Sequence, residues 1–388
     1  MFSKNIIFKN FQKRKSKDFK KINKILKKEL IVSSSLFNSF TTKYKYSFKK
    51  KKINKFKNYQ YINFIGMGGS ILGTEAIYDF LKFKIKKKIS FYNNLNNQIK
   101  LEKNKKTINL IISKSGNTLE TISNFNLILK SQKKNKNIVI TENKSSFLML
   151  LAKKLKAEII EHKNFIGGRY SVLSEVGMLP AQLFGLNEAK FKKFNNLIKN
   201  KSFLNNLINN VSFIFAYSLK GKNNSVILNY DESSENLLKW YQQLTAESLG
   251  KKNKGIFPII SSMPKDNHSL LQLYLDGPKN NFFTFFGVIE KKSNKLENRN
   301  LFGKFNTLRN KNLNQIIQAQ RQATQMVFKK KKIPFRSFEV LKRNEEVIGE
   351  MFSFFVLETI LLGRLMEINP FNQPAVEIIK TETSKILI

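Results

Sequence analysis

The chain has 388 residues, 41% of them hydrophobic, which is enough for two ordinary domains or one large domain around a sizeable core. It has no cysteine, which excludes disulfides and thiolate chemistry, and its two histidines, His162 and His268, argue against a histidine-rich metal site. The 70 Lys and Arg against 27 Asp and Glu give a formal net charge of +43, and such a charge attracts polyanions.

The basic residues are scattered along the chain, with a local excess between residues 4 and 57. Lys, Asn, Ile and Phe are abundant together, which is the bias of an AT-rich coding sequence. We therefore interpret most of the charge as a solvated surface, and a selected contact with a polyanion or an acidic surface is the other interpretation. Nucleic acid is not expected as a partner.

The first segment, residues 1–57, is predicted to be a basic, loosely amphipathic helix followed by a linker. It is poor in acidic residues, as transit peptides are, but it lacks their Ser/Arg-rich run and has no secretory hydrophobic region. We expect a cytoplasmic protein.

The second segment, residues 58–190, alternates between short apolar runs and amphipathic stretches. This alternation predicts a doubly wound α/β domain, in which a parallel sheet carries helices on both faces. The predicted strands are YINFIG, ISFYN, TINLIIS, NIVIT and AEIIEH, and the predicted helices include LGTEAIYDFLK and TLETISNFNLILK.

Residues 191–345 are predicted to form a second α/β domain, and helices are predicted from about residue 312 to the end, with 346–388 as the C-terminal helices. The strands of the second domain are SVILNY, GIFPIISS and FFTFFGVIE, and its helices are ENLLKWYQQLTAESLG and DNHSLLQLYL. The apolar run MFSFFVLETILLGRLMEI contains Glu358 and Arg364 and is shorter than the roughly 20 apolar residues of a membrane span. It predicts a buried helix, and no membrane association is expected.

A polar turn follows the predicted strand TINLIIS, where a helix begins near Asn117 or Thr118. Backbone N–H groups are unpaired at such a helix start, and the helix dipole favours an anion there. Ordinary capping explains one or two of the polar residues but not the whole set. We therefore predict a phosphate site formed by Ser113, Lys114, Ser115 and Thr118, with Gly116 allowing close approach of the backbone.

The segment IGMGGSILG has the same arrangement of strand, glycine-rich turn and helix, with Gly69 and Ser70 in the turn. It lacks the spacing of a dinucleotide fingerprint and the lysine of a P-loop. Two such turns from neighbouring strands meet at the carboxyl edge of one sheet, where α/β folds bind ligands. Their convergence strengthens the phosphate hypothesis.

Four other residues are candidates for chemistry. Arg169 follows two glycines, and it either binds a carboxylate, phosphate or developing oxyanion, or satisfies a loop. Glu247 ends a predicted helix, where the dipole disfavours a carboxylate; burial there would suit a general base, although such a residue is more often a surface glutamate. His268 and Lys380 cannot be distinguished from ordinary surface residues on these grounds.

Six segments change this balance because they occur in the order seen in the glucose-6-phosphate isomerase family, which the chain resembles over roughly residues 60 to 382. The segments are IGMGGS, SKSGNTLET, GGRYSVLSEVG, AESLGK, NHSLLQLYLDGP and NPFNQPAVEIIK. GGRYSVLSEVG and the QPAVE context of Lys380 are specific, whereas SKSGNT alone matches many sugar-isomerase-type domains.

The resemblance implies two sugar-isomerase-type α/β domains with C-terminal helices that embrace a partner subunit, and hence a homodimer. It implies an enzyme of glycolysis and gluconeogenesis that interconverts glucose 6-phosphate and fructose 6-phosphate through a cis-enediolate, without metal or cofactor. Glu247 then matches the base, Arg169 the cation beside the enediolate, and His268 and Lys380 the ring-opening pair. The residues matching the substrate-binding set are Gly69, Ser70, Ser113, Lys114, Ser115, Thr118 and Gln373.

Two alternatives stay open at this point. One is an isomerase of another hexose phosphate, such as mannose 6-phosphate. The other is a non-catalytic sugar-phosphate-binding regulator that docks nucleic acid through its basic surface. A regulator needs the hydroxyl-bearing turns but not Glu247, His268 and Lys380, so their joint presence favours the enzyme.

Overall fold

The computed structural model describes residues 4–11, 18–96, 106–131, 135–290 and 292–387, which form two five-stranded sheets surrounded by helices. The strands are β1 (Ile6–Lys9), β2 (Tyr61–Gly66), β3 (Lys88–Tyr92), β4 (Thr107–Ile112), β5 (Lys136–Thr141), β6 (Glu158–Glu161), β7 (Asn224–Asn229), β8 (Phe257–Ser262), β9 (Asn281–Val288) and β10 (Phe335–Val340). The helices are α1 (Phe19–Val32), α2 (Ser34–Asn38), α3 (Lys50–Asn54), α4 (Leu72–Leu81), α5 (Leu119–Ser131), α6 (Phe147–Lys154), α7 (Glu175–Leu183), α8 (Phe194–Lys199), α9 (Lys201–Leu219), α10 (Glu235–Leu249), α11 (Leu271–Asp276), α12 (Leu313–Lys330), α13 (Glu345–Leu365) and α14 (Ala375–Ile386).

The first sheet is parallel throughout, with strand order β3-β2-β4-β5-β6, and it confirms all five strands predicted in this part of the chain. Every residue of β4 is buried, as expected for a central parallel strand with helices on both faces. Gly66 pairs with Ile112, so β2 and β4 end side by side. The two polar turns that follow them therefore leave the sheet at neighbouring positions.

The second sheet has the order β1-β10-β9-β7-β8, and only β1 runs antiparallel to its neighbour. β7, β8 and β9 were predicted, but the all-helical prediction from residue 312 onward was wrong at β10, and β1 lies in the segment predicted to be helix and linker. β10 has the sequence FRSFEV, whose arginine and glutamate break the apolar run that would mark a buried strand. Residues of β1 pair with β10 near the other end of the chain, which no local pattern reveals.

Helix α13 passes through the middle of the molecule, and 19 of its residues are buried. It packs against α9 and α10, and one continuous core cluster contains residues of both sheets and of this helix. The prediction of a buried helix is confirmed. Among the residues that the structure describes, no helix is both long and apolar enough to cross a membrane.

The segment before the first sheet packs onto the body of the protein. Arg364 in α13 donates from Nε to Oε1 of the buried Glu29 in α1, at 2.8 Å. Farther along, the Tyr44 hydroxyl and the Ser47 amide donate to the carboxylate of Glu175 at 2.9 and 2.8 Å. The helix predicted in this segment is present as α1, and the domain boundaries at residues 57, 190 and 345 stay predictions.

Candidate active site

The turn between β4 and α5 is held by its own hydroxyl groups. Ser113 Oγ lies 2.8 Å from Thr118 Oγ1 and accepts a hydrogen bond from the Gly116 amide at 3.1 Å. Gly116 has a φ of +72°, and a Cβ there would come within 2.1 Å of Ser146 Oγ. The glycine is therefore required by the shape of the turn itself. The turn brings the predicted hydroxyls together at the start of α5.

The outward-facing residues of this turn differ in their partners. Ser115 is exposed, and its Oγ accepts only from the nearby Asn117 amide, at 3.2 Å, among the bonds described for it. Lys114 Nζ instead donates to the Asn164 carbonyl at 2.8 Å and lies 3.6 Å from the Glu142 carboxylate. Burial lowers the pKa of Lys114, and the nearby carboxylate opposes this effect. The Lys114 side chain is thus held beside the turn by the Asn164 carbonyl and the Glu142 carboxylate.

The turn after β2 touches the segment that carries Arg169. A Cβ on Gly69 would lie only 2.4 Å from the Arg169 backbone nitrogen, so the two backbones are in direct contact. Arg169 itself is only 3% exposed and lies in a short 3₁₀ turn, Gly168–Leu173. Ser70 is half-buried in the turn after β2. The glycine-rich turn and the buried arginine therefore form one wall of a site.

The Arg169 guanidinium gathers three parts of the chain. Its Nε donates to Ser248 Oγ at 2.8 Å, its Nη2 donates to the Pro370 carbonyl at 2.6 Å, and its Nη1 donates to Gln373 Oε1 at 2.7 Å. Nη1 also lies 3.6 Å from Glu247 Oε2. The Glu247 side chain is 25% exposed, so it is open to a ligand. Arg169, Glu247 and Gln373, distant in sequence, meet here.

Gln243 joins this group, although the sequence reasoning missed it. It lies one helical turn before Glu247 on α10, so the two side chains share a face of the helix. A Cβ on Gly68 would lie 2.7 Å from Gln243 Nε2, and Gln243 Oε1 is buried without a hydrogen-bond partner among the described residues. The four-residue spacing from Glu247 is the signal that would have found it.

Two predicted residues have no described contact with Glu247 within one chain. His268 is exposed and ends a 3₁₀ turn beyond the carboxyl end of β8, whereas Glu247 lies on the last turn of α10, before that strand begins. The six residues of β8 span about 20 Å. Lys380 lies on α14, which has no buried residue, and its Nζ donates to Glu377 at 2.7 Å.

The assembled part of the site has a definite chemical capacity. Glu247 is a carboxylate that can accept a proton from a carbon atom, and the fixed guanidinium of Arg169 can stabilise negative charge that develops on a neighbouring oxygen. Because Arg169 is held by a hydroxyl, a carbonyl and an amide, it needs little rearrangement to do so. The hydroxyl-bearing turns at the carboxyl edge of the first sheet suit a phosphate.

The chain is similar in sequence to known proteins. A family model described as phosphoglucose isomerase matches residues 47–388. A glucose-6-phosphate isomerase of Methanocaldococcus jannaschii is 35% identical over 346 residues, covering 85% of this chain and 84% of the relative. A glucose-6-phosphate isomerase of Mycoplasmopsis pulmonis is 33% identical over 359 residues, covering 83% and 82%.

Two solved structures have the same fold. A hypothetical protein from Thermus thermophilus superposes with a TM-score of 0.84 at 20% identity, covering 98% of this chain and 99% of that one. A glucose-6-phosphate isomerase from Chlamydia trachomatis superposes with a TM-score of 0.71 at 19% identity, covering 87% of this chain and 71% of that one. These similarities confirm the predicted fold class of two α/β domains of the sugar-isomerase type.

Proposed function

This chain belongs to the phosphoglucose isomerase family, and we propose the part that each of its site residues plays in the isomerase reaction. The protein interconverts glucose 6-phosphate and fructose 6-phosphate, moving hydrogen between C2 and C1 of the open-chain sugar. The observation that supports the assignment of roles is that Glu247 and Gln373 both meet the buried guanidinium of Arg169.

Glu247 acts as the base. It takes the proton from C2 of the aldose, the C–H electron pair forms the C1–C2 double bond, and the carbonyl oxygen at C1 gains negative charge, giving a cis-enediolate. Arg169 stabilises that charge, and Gln373 contacts the sugar. The O2 hydroxyl proton passes to O1, the C2 oxygen becomes the carbonyl, and the proton returns from Glu247 to C1, which completes the conversion to the ketose.

The turns after β2 and β4 bind the phosphate. Its proposed ligands are Gly69, Ser70, Ser113, Lys114, Ser115 and Thr118. The backbone N–H groups at the start of α5 and the hydroxyls beside them support this assignment, because both can donate to anionic oxygens. The phosphate is at the end of the sugar that does not react, so its binding energy can hold C1 and C2 in place beside Glu247.

Replacing Ser115 with alanine is expected to raise KM by about 10- to 100-fold and to change kcat less, because a hydrogen bond to a charged group contributes about 1.5–3 kcal/mol. Ser115 is exposed, so its loss should leave the fold intact. Steady-state kinetics with glucose 6-phosphate measure the effect, and Ser202→Ala, at another exposed serine, is the matched control. An unchanged KM for Ser115→Ala contradicts the phosphate assignment.

His268 and Lys380 are assigned to opening the sugar ring, which needs a proton donor and acceptor separate from Glu247. Within one chain, His268 and Glu247 lie toward opposite ends of β8. This separation supports a homodimer in which a second copy supplies His268. The exposed apolar side chains of Val376, Ile378 and Ile379 on α14 also favour a partner surface.

A subunit-mixing experiment tests the homodimer. Glu247→Gln and His268→Gln variants, each poorly active alone, are expected to regain activity when they are unfolded and refolded together. A mixed dimer would contain one site with both native residues and one site with neither. The coupled isomerase assay measures the gain, and co-refolding each variant with itself is the control. If no activity is regained although a mixed dimer forms, His268 does not come from a second copy.

The proposed function is tested by a coupled assay of the purified protein with glucose 6-phosphate and mannose 6-phosphate side by side. Turnover of glucose 6-phosphate is expected. Turnover of mannose 6-phosphate alone would favour another hexose phosphate isomerase, and binding without turnover of either sugar would favour a non-catalytic regulator. We propose a cytoplasmic location, as suits an enzyme of glycolysis and gluconeogenesis.

A further inference from the structure

Lys251 connects the two segments that carry Glu247 and Gln373. It lies just after the end of α10, and its Nζ donates to the Ser248 carbonyl at 2.9 Å and to the Asn369 carbonyl at 2.6 Å. Ser248 follows Glu247 in the last turn of the helix. Asn369 is the first residue of the Asn369–Gln373 loop. One ammonium group thus joins the end of the helix to the start of the loop.

The rest of the Asn369–Gln373 loop is fastened by its neighbours in the site. Arg169 Nη2 and the Tyr170 hydroxyl donate to the Pro370 carbonyl at 2.6 and 2.9 Å. Arg169 Nη1 donates to the Gln373 side chain at 2.7 Å. Arg169 and Tyr170 therefore hold the middle and the end of this loop. Lys251 holds its beginning and donates to the backbone carbonyl of Ser248 in α10, whereas Arg169 and Tyr170 bond the Ser248 hydroxyl.

Lys251 also lies within electrostatic reach of the reacting groups. Burial and the charge of Arg169 together lower its pKa to about 8, against the opposite effect of the Glu247 carboxylate. The next lysine along the chain with a comparable bond, Lys254, faces elsewhere and donates to the Met366 carbonyl at 3.0 Å. Arg169 and Glu247 are thus the charged groups that face Lys251.

We propose that Lys251 is a positioning residue of this site: it fixes Glu247 and Gln373 relative to each other and adds positive charge beside Arg169 while the enediolate forms. The inference rests on the isomerase roles proposed above and extends them to a lysine outside the substrate contacts. Lys251 is charged below its pKa and neutral above it. The charge is therefore lost as the pH rises through about 8, and kcat should fall there.

Three variants test this inference: Lys251→Met, Lys251→Arg and, as the matched control, Lys254→Met. Lys251→Met is expected to lower kcat by about 10- to 100-fold with a smaller change in KM, because misplacing a catalytic group by about 1 Å costs that much. Lys251→Arg should recover most of kcat and lose the decline near pH 8, since a guanidinium stays charged. Lys254→Met should retain wild-type kcat within about twofold.

A readout independent of activity accompanies the kinetics. The Phe371 amide donates to Asn369 Oδ1 at 3.0 Å, so its hydrogen exchange reports on the start of the loop. Exchange at Phe371 should be faster in Lys251→Met than in Lys254→Met. Thermal unfolding shows whether each variant folds. If Lys251→Met fails to fold, the pH profile of Lys251→Arg still decides the question.

The inference is overturned if Lys251→Met keeps wild-type kcat, if the two methionine variants behave alike, or if Lys251→Arg retains the decline near pH 8. A wild-type protein that turns over neither sugar phosphate would instead reject the proposed function. In that case equal Phe371 exchange in the two methionine variants would also reject the positioning role of Lys251.

Discussion

Replacing Glu247 with glutamine is expected to lower kcat by about 10²- to 10⁴-fold while KM changes little. Glutamine has nearly the same shape and still reaches Arg169, whose Nη1 lies 3.6 Å from the native carboxylate. It cannot accept the proton from C2, so the step that forms the enediolate is lost. The phosphate is proposed to bind at turns of the first sheet through other residues, so its binding should be retained.

Two measurements separate this effect from a loss of folding. The coupled assay gives kcat and KM, and exchange of the C2 hydrogen with solvent, followed by NMR in deuterated water, reports on the proton transfer itself. Glu235→Gln is the matched control: it changes the same kind of residue at the other end of α10, where Glu235 is paired with Lys239. Wild-type C2 exchange in Glu247→Gln would exclude Glu247 as the base.

The first sheet was predictable because its strands contain short apolar runs, and helices with apolar positions three or four residues apart follow β2, β4 and β5. β4 is the clearest case, since every residue in it is apolar or buried. β10 was not predictable because Arg336, at its second position, is normally a surface residue. Arg336 is buried because it is paired with Glu358 of α13, which lies 22 residues later in the chain. A charge that is matched only by the tertiary fold gives no local signal.

In the candidate site, too, some residues could be predicted from the sequence and others could not. The polar turns and the glycines before Arg169 could be found from the sequence, because unusual residues cluster there. Gln243 could be found only through its four-residue spacing from Glu247, and Lys251 could not be found, because its importance depends on where the loop at Asn369 lies. Lys251 is also one of 70 basic residues, so its type carries almost no information. Lys251 differs from the other lysines in its bond to the Asn369 carbonyl, which only the folded structure shows.

The distance of His268 from Glu247 within one chain could likewise not be predicted from the sequence. A residue can be matched to a motif without any indication of which copy of the chain uses it. The order of helix and strand around β8 puts His268 and Glu247 toward opposite ends of that strand, which is why a second copy is proposed to supply His268. The topology of one chain therefore bears on the assembly of two.

Replacing Arg336 with methionine is expected to lower the free energy of unfolding by about 3–5 kcal/mol. Arg336 in β10 and Glu358 in α13 form an ion pair in which both side chains are 0% exposed. The pair is surrounded by further bonds: Arg336 Nη1 donates to Asn210 Oδ1 at 2.8 Å, and the Tyr241 hydroxyl donates to Glu358 Oε1 at 2.6 Å. Removing the arginine leaves a carboxylate buried without its counter-charge, which is the costly part of the change.

The double variant Arg336→Met with Glu358→Leu tests this reason, because it removes both charges and leaves apolar groups of similar size. Its stability is expected to return to within about 2 kcal/mol of the wild type, since a buried ion pair as a whole contributes little compared with well-packed apolar residues. Lys239→Met, which breaks the exposed pair with Glu235, is the control and should cost less than about 1 kcal/mol. Denaturant titrations of the four proteins measure these differences. If the double variant is as unstable as Arg336→Met, the network around the pair, and not the unpaired carboxylate, holds β10 against α13.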